Sequence, residues 1–91
     1  RLDAAAARLA ITASLAQAYL ELDRAYALAD IAAQSEEQRR HILDITRKRI
    51  AAGLDTNVEL REAEAAVPQA ELVRLQAESA RDVAGAASRA R

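Results

Sequence analysis

Apolar residues recur along the first half of the chain at alternating intervals of three and four, the spacing of a coiled-coil seam. One row of this seam consists of Leu15, Leu22, Ala29, Glu36, Leu43 and Ile50, and the other consists of Ile11, Ala18, Ala25 and Ala32. The side opposite the seam is polar and carries an acidic row, Asp23, Asp30, Glu37 and Asp44. Neither proline nor glycine interrupts the pattern, which therefore predicts one long helix over about residues 3–52.

Residues 51–59 break this pattern and combine signals for a helix end and a new start. Gly53 is suited to the left-handed conformation that closes a helix, and the basic residues before it complement the carbonyl groups of the last turn. Thr56 and Glu59 have the spacing of a capping box, so a second helix should span about 57–90. A turn as short as 53–56 favours antiparallel neighbours. The predicted fold is all-α, a long antiparallel two-helix coiled-coil hairpin.

The second helix repeats the seam with smaller side chains. Its rows consist of Ala63, Ala70, Ala77 and Ala84 and of Ala66, Val73, Ala80 and Ala87. Folding at the turn pairs residues whose numbers sum to about 109, so that large side chains of one helix meet small ones of the other. Glu36 then faces Val73, and we expect its carboxylate to swing out toward Arg40. Pro68 removes a backbone hydrogen bond and predicts a kink near that residue.

Composition indicates that this hairpin needs partners. Of its 91 residues, 52% are hydrophobic and 30% are charged, which is typical of coiled coils and long helices. Two helices without a third layer enclose little core. Residues 1–17 have no partner within the hairpin, and the seam is widened by flanking apolar residues, namely Tyr19, Tyr26, Ala33, Leu28 and Ile42. We expect other helices to cover these surfaces.

The net charge of −1 gives no reason to expect nucleic acid or an anionic membrane surface as partner. Cysteine is absent, so the sequence does not indicate a redox compartment. Apolar runs are too short to span a bilayer. The chain begins in the middle of a helical pattern, and we interpret it as an excerpt of a longer protein.

Candidate chemistry is sparse. His41 lies one turn from Glu37, but a metal site needs three or four converging ligands, and the second helix has neither histidine nor cysteine. We therefore interpret His41 as a solvated residue. No nucleophile beside a base and no phosphate-binding loop is present, so we predict no enzymatic activity, cofactor or metal. The acidic row is interpreted as a solvated helix face, with the lining of a water-filled passage as the alternative.

The chain resembles the periplasmic hairpin of TolC-type outer membrane efflux proteins, most like the NodT and OprM branch of outer membrane lipoproteins. The resemblance lies in Ala18-Tyr19-Leu20-Glu21-Leu22 within a long helix and in the arginine-rich helix end before the turn. It continues in the spacing of Gly53, Thr56, Glu59 and Ala63. Two positions depart from the family pattern, because Glu59 replaces the commoner aspartate and Pro68 stands where a good helix former is usual.

The resemblance implies a role in export, multidrug resistance included. Family members form homotrimeric ducts in the Gram-negative envelope, where hairpins close side by side into a periplasmic tunnel. The β-barrel that holds such ducts in the outer membrane lies outside residues 1–91, so this stretch would be a single periplasmic fragment. Hairpin tips meet the adaptor, or membrane fusion, protein of a tripartite pump. Carried onto this sequence, the adaptor-contact tip is Gly53, Leu54, Asp55 and Thr56.

Two other functions remain open at this point. One is a structural coiled-coil hairpin that serves only oligomerisation. The other is the hairpin of an adaptor protein, although the arginine, leucine and aspartate tip pattern of that family is missing here. Flanking sequence with strands and a second similar hairpin would favour the duct.

Overall fold

The computed structural model describes residues 3–90, which form two long antiparallel α-helices. Helix α1 spans Ala4–Ala51 and helix α2 spans Asn57–Arg89, each within one residue of the predicted bounds. The hairpin measures 78 × 18 × 15 Å, as expected for a helix of 48 residues with a rise of about 1.5 Å per residue. The predicted all-α hairpin is confirmed.

Helix α1 ends in a Schellman motif centred on Gly53. Ala52 is the last residue near helical conformation, and Gly53 takes a φ of 75°. The N–H of Gly53 donates to the Ile50 carbonyl at 2.9 Å, and the N–H of Leu54 donates to the Arg49 carbonyl at 2.8 Å. Both bonds satisfy carbonyl groups that the end of a helix leaves without an intrahelical donor. The predicted role of Gly53 in ending α1 is confirmed.

Helix α2 begins at the predicted capping box. Glu59 Oε2 accepts the backbone N–H of Thr56 at 2.8 Å and the Thr56 hydroxyl at 2.9 Å. Ahead of this cap, Arg49 Nε donates to Asp55 Oδ2 at 3.0 Å, which ties the last turn of α1 to the connection. The turn is therefore held at both ends by local hydrogen bonds.

The seam of α1 follows the predicted rows. Ala29, Ala32 and Glu36 are buried, and Leu22 and Leu43 are half-buried. Contacts between the helices join Arg47 to Glu64, Glu36 to Arg74 and Tyr26 to Arg81. These pairs agree with the predicted rule that facing residue numbers sum to about 109.

One predicted row of the second helix is wrong. The row with Ala63 lies in the seam, but Val73, Ala80 and Ala87 are exposed, and Ala66 is only half-buried. The second seam row consists instead of Leu60, Val67, Arg74, Arg81 and Ser88. Two arginines occupy seam positions because their long stems can pack along the partner helix, while the guanidinium group of Arg74 reaches Glu36 and that of Arg81 lies over the Tyr26 ring.

The expected position of Glu36 is also wrong. The residue is only 7% exposed, and its carboxylate does not turn out to solvent. Arg40 Nη2 donates to Glu36 Oε2 at 2.7 Å, as the predicted pair requires, but Arg74 Nε of α2 also donates to Glu36 Oε1. The second bond crosses the seam and holds the carboxylate inside it.

Helix α2 continues through Pro68, whose side chain is exposed. A bend of the axis there remains a prediction. At the start of α1, Leu9 and Ile11 are strongly exposed, which agrees with the expectation that this stretch lacks a partner in the hairpin. Residues 1, 2 and 91, which include part of the predicted unpartnered stretch, lie outside the described residues.

Candidate protein interaction site

The tip of the hairpin presents apolar surface on a rigid turn. Leu54 is 63% exposed and directly follows Gly53, whose Schellman motif fixes the backbone. Val58, in the first turn of α2, is 61% exposed and was not singled out from the sequence. Its signal was a second apolar residue in the turn that also contains the seam residue Leu60. The tip therefore offers two aliphatic side chains that the hairpin itself does not cover.

The other predicted tip residues mainly build the turn. Asp55 has a side chain only 16% exposed, because Arg49 binds it at 3.0 Å. Arg49 Nη2 also donates to the Leu54 carbonyl at 3.4 Å. Thr56 caps α2 together with Glu59, and the Thr56 backbone N–H is the main reason that the pKa of Glu59 lies below its usual value of 4.5. Gly53, Asp55 and Thr56 thus position Leu54.

A second apolar stripe runs along α1 outside the seam. It consists of Leu28, Ile31, Ile42 and Ile45, all exposed, with Ser35 and Gln38 at the intervening positions. The six residues follow one another at alternating intervals of three and four, so they form one continuous stripe on the helix. We call it the α1 outer stripe. Sequence reasoning found only its members Leu28 and Ile42 and took them for a widened seam.

Helix α2 has a less apolar counterpart, the α2 outer stripe. Its apolar members are Val58, Ala65, Pro68, Leu72, Leu75 and Ala86, all exposed, with Arg61, Ser79 and Asp82 at the intervening positions. The sequence signal that could have revealed both stripes is a second three-and-four repeat out of phase with the first.

The α1 outer stripe also borders a shallow apolar groove between the helices. The groove has a volume of about 470 Å³ and is lined by Leu28, Ile31, Ala32, Ser35, Val73, Gln76 and Ala77. Val73, which was predicted to lie in the seam, instead forms the α2 side of this groove. The broad face of the hairpin near its middle is therefore apolar.

The acidic row lies in solvent along α1. Asp23, Asp30, Glu37 and Asp44 are all exposed, and Lys48 Nζ contacts Asp44 Oδ2 at 3.1 Å. His41 is exposed close to Glu37, as predicted for a solvated residue. Within residues 3–90, no three histidine, cysteine or acidic side chains are placed to hold a metal ion.

The described helices also lack any segment of sufficient length and hydropathy to cross a membrane.

The model of the family described as outer membrane efflux protein matches residues 1–88. The fusaric acid resistance protein FusA of Burkholderia cepacia is 39% identical to the chain over 69 residues. This similarity covers 76% of the chain but only 13% of FusA, so the chain spans a small part of that relative's length. No solved structure matches the chain.

Proposed function

The chain belongs to the outer membrane efflux protein family, and we propose that it forms one helical hairpin in the periplasmic tunnel of a trimeric efflux duct. An efflux-related role follows from the family and from the similarity to FusA. The proposal goes further and assigns the hairpin wall, the tip and the acidic row separate tasks. Membership of this family also favours the duct over a hairpin that serves oligomerisation alone and over an adaptor-protein hairpin.

The outer stripes carry the proposal for the wall. Each helix already uses one stripe against its partner, and each keeps further apolar residues exposed, with Leu28, Ile31, Ile42 and Ile45 on α1 and Val58, Leu72 and Leu75 as the large ones on α2. Fully burying one such side chain is worth about 1.5–3 kcal/mol, and because the four in the α1 outer stripe are 42–60% exposed, each can still contribute about half of that to lateral association. In a wall of adjacent helices, each helix contacts neighbours on two sides, so both of its apolar stripes are covered. A hairpin whose helices contact only each other needs one apolar stripe on each helix.

The tip carries the proposal for docking. Leu54 projects from a turn whose other residues are engaged in local hydrogen bonds. A small apolar contact on a rigid support suits recognition of a second protein, because little conformational entropy is lost on binding. We assign this contact to the adaptor protein of a tripartite pump, with Gly53, Asp55 and Thr56 as its support.

The acidic row carries the proposal for the passage. Its four carboxylates are exposed and repeat every seven residues, about 10 Å along the axis. A regular line of solvated charges suits a surface that faces water while neighbouring surfaces face other helices. We assign Asp23, Asp30, Glu37 and Asp44 to the water-filled interior. The similarity to FusA supports a duct that confers resistance by exporting a toxic compound.

The wall is tested by placing a charge in the α1 outer stripe of the full-length protein. Ile45→Glu should prevent trimer formation, because the carboxylate would be buried between helices without a partner. Lys48→Glu is the matched control, since Lys48 is exposed and contacts Asp44 of the acidic row, on the side of α1 that we assign to water. Trimer formation is measured by crosslinking and sedimentation. A trimer that tolerates Ile45→Glu as well as Lys48→Glu would contradict the proposal.

A further inference from the structure

Two faces of α1 compete for contact with α2. The face in use buries Ala29, Ala32, Glu36 and Thr46, and Leu22, Leu43 and Ile50 on the same face are half-buried. The outer stripe offers four large aliphatic residues, of which Ile31 is 60% exposed. Apolar area therefore does not by itself explain why the buried face includes a glutamate and a threonine while the outer stripe stays uncovered.

The face in use is distinguished by an ion cluster across the seam. Glu36 accepts hydrogen bonds from Arg74 of α2 and from Arg40 on its own helix. Arg74 Nη1 also donates to Glu78 Oε1 at 2.9 Å, so the guanidinium bridges two carboxylates. Among the described residues, no buried polar side-chain atom lacks a hydrogen-bond partner. These contacts lower the pKa of Glu36, with the Arg40 hydrogen bond as the largest cause and the Arg74 bond next.

Turning the outer stripe toward α2 would break this cluster. At the level of Arg74, the α1 outer stripe presents Ser35 and Gln38, neither of which carries a charge. Arg74 would then enter an apolar seam without a carboxylate from α1 and keep only Glu78 of its own helix, so it would lose one of its two carboxylate partners, while Glu36 could still reach Arg40 in solvent. A buried charge that loses its partner is strongly destabilising, whereas the same pair kept intact contributes little net stability.

We propose that the Glu36–Arg74 ion pair selects which face of α1 packs against α2. Its main effect is discrimination between two packings, because it penalises the alternative more than it stabilises the one observed. By fixing the inner face, the pair leaves the α1 outer stripe available on the surface. This inference depends on the hairpin alone and does not require the proposed duct.

The test reads out which face is covered, using two adjacent cysteine probes. The chain contains no cysteine, so Thr46→Cys and Ile45→Cys each introduce a single reactive thiol. Thr46 is 8% exposed and Ile45 is 42% exposed, so maleimide should label position 45 faster by on the order of tenfold. Labelling is measured at concentrations where sedimentation shows monomer, because association would also cover position 45.

Charge reversal across the seam should change this preference. In the Arg74→Glu background, two carboxylates would face each other, and the ratio of labelling rates should fall to about one or reverse. The double swap Glu36→Arg with Arg74→Glu should move the ratio back toward its original value, because it restores the pair across the seam, although it places like charges beside Arg40 and Glu78. Arg61→Glu is the matched control, since it reverses the charge of an exposed α2 residue and should leave the ratio unchanged.

Two outcomes would overturn the inference. The first is an Arg74→Glu chain that keeps both its helicity and the original labelling ratio. If Arg74→Glu instead loses its helicity, the neutral pair Glu36→Gln with Arg74→Gln decides the matter. A ratio that moves toward one in this variant supports selection by the ion pair, and an unchanged ratio overturns it.

Discussion

The two glycines of the chain predict opposite effects of the same substitution. Gly53 has a φ of 75°, and a Cβ built there would meet no atom within 4 Å. Gly53→Ala therefore costs only backbone strain, about 1–2 kcal/mol for a left-handed residue with a side chain. Gly85 lies within α2, where a Cβ would meet only the end of the flexible Arg89 side chain, at 3.4 Å. Gly85→Ala should stabilise the helix by about 0.5–1 kcal/mol.

These values are measured by thermal unfolding, followed by circular dichroism at one protein concentration. Gly53→Ala should lower the melting temperature and Gly85→Ala should raise it, by about 4–8 °C per kcal/mol for a chain of this size. The comparison is internally controlled, because both variants add the same methyl group. A Gly53→Ala chain as stable as the parent would refute the Schellman turn. If Gly85→Ala instead destabilised the chain, a neighbouring group would have to occupy the space that the added methyl group fills.

Three further predictions follow from the caps, the ionic contacts and the exposed surfaces. Thr56→Ala should lower the free energy of unfolding by about 0.5–2 kcal/mol through loss of the cap, and unchanged stability in urea titrations would contradict it. Glu36 and Glu59 have lowered pKa values, so their stabilisation is complete above about pH 4.5 and is lost as pH falls through their folded-state values. The melting temperature should therefore fall at acid pH, and this fall should be smaller in the double variant Glu36→Gln with Glu59→Gln. The isolated hairpin should self-associate through residues 1–17 and the apolar flanks. Sedimentation that shows a fully helical monomer at high concentration would contradict this expectation.

Local signals made the turn predictable from sequence. A glycine preceded by basic residues, followed by Thr56 and Glu59 at capping-box spacing, determines the hydrogen bonds of a few neighbouring residues, and the structure contains those bonds. The length of the turn then determines which levels of the two helices lie side by side, which is why the rule that facing residue numbers sum to about 109 was also predicted. These features depend little on the rest of the chain.

The seam of α2 was less predictable because its choice of face depends on contacts between helices. Val73 is apolar at a plausible seam position, and Arg74 is charged, so apolar periodicity favoured the wrong neighbour. Arg74 can lie in the seam because its guanidinium group pairs with Glu36 of α1. This ion pair can be recognised only when the sequences of both helices are aligned at the turn. The outer stripes were missed for the same reason. When only one seam per helix is expected, apolar residues outside it, such as Leu28 and Ile42, are interpreted as a widening of that seam.

The tip residues remain proposals because their predicted role concerns a partner outside the hairpin. The structure shows how Gly53, Asp55 and Thr56 form the turn and that Leu54 is exposed on it. Exposure of an aliphatic residue at a rigid apex is a physical reason to expect binding, and affinity for the adaptor is what must be measured.

Leu54→Ser in the full-length protein tests that claim most directly. Because Leu54 buries little against its own helices, the variant should keep expression, trimer formation and helicity close to those of the parent. Adaptor affinity should fall by about tenfold or more if Leu54 is a central contact, and export should fall with it. Asn57→Ser is the matched control, as it also places serine at the exposed tip but removes no apolar surface. We expect a selective loss of adaptor binding for Leu54→Ser alone; unchanged adaptor affinity, or loss of folding without a separate loss of adaptor affinity, would contradict the assignment of Leu54 to the adaptor contact.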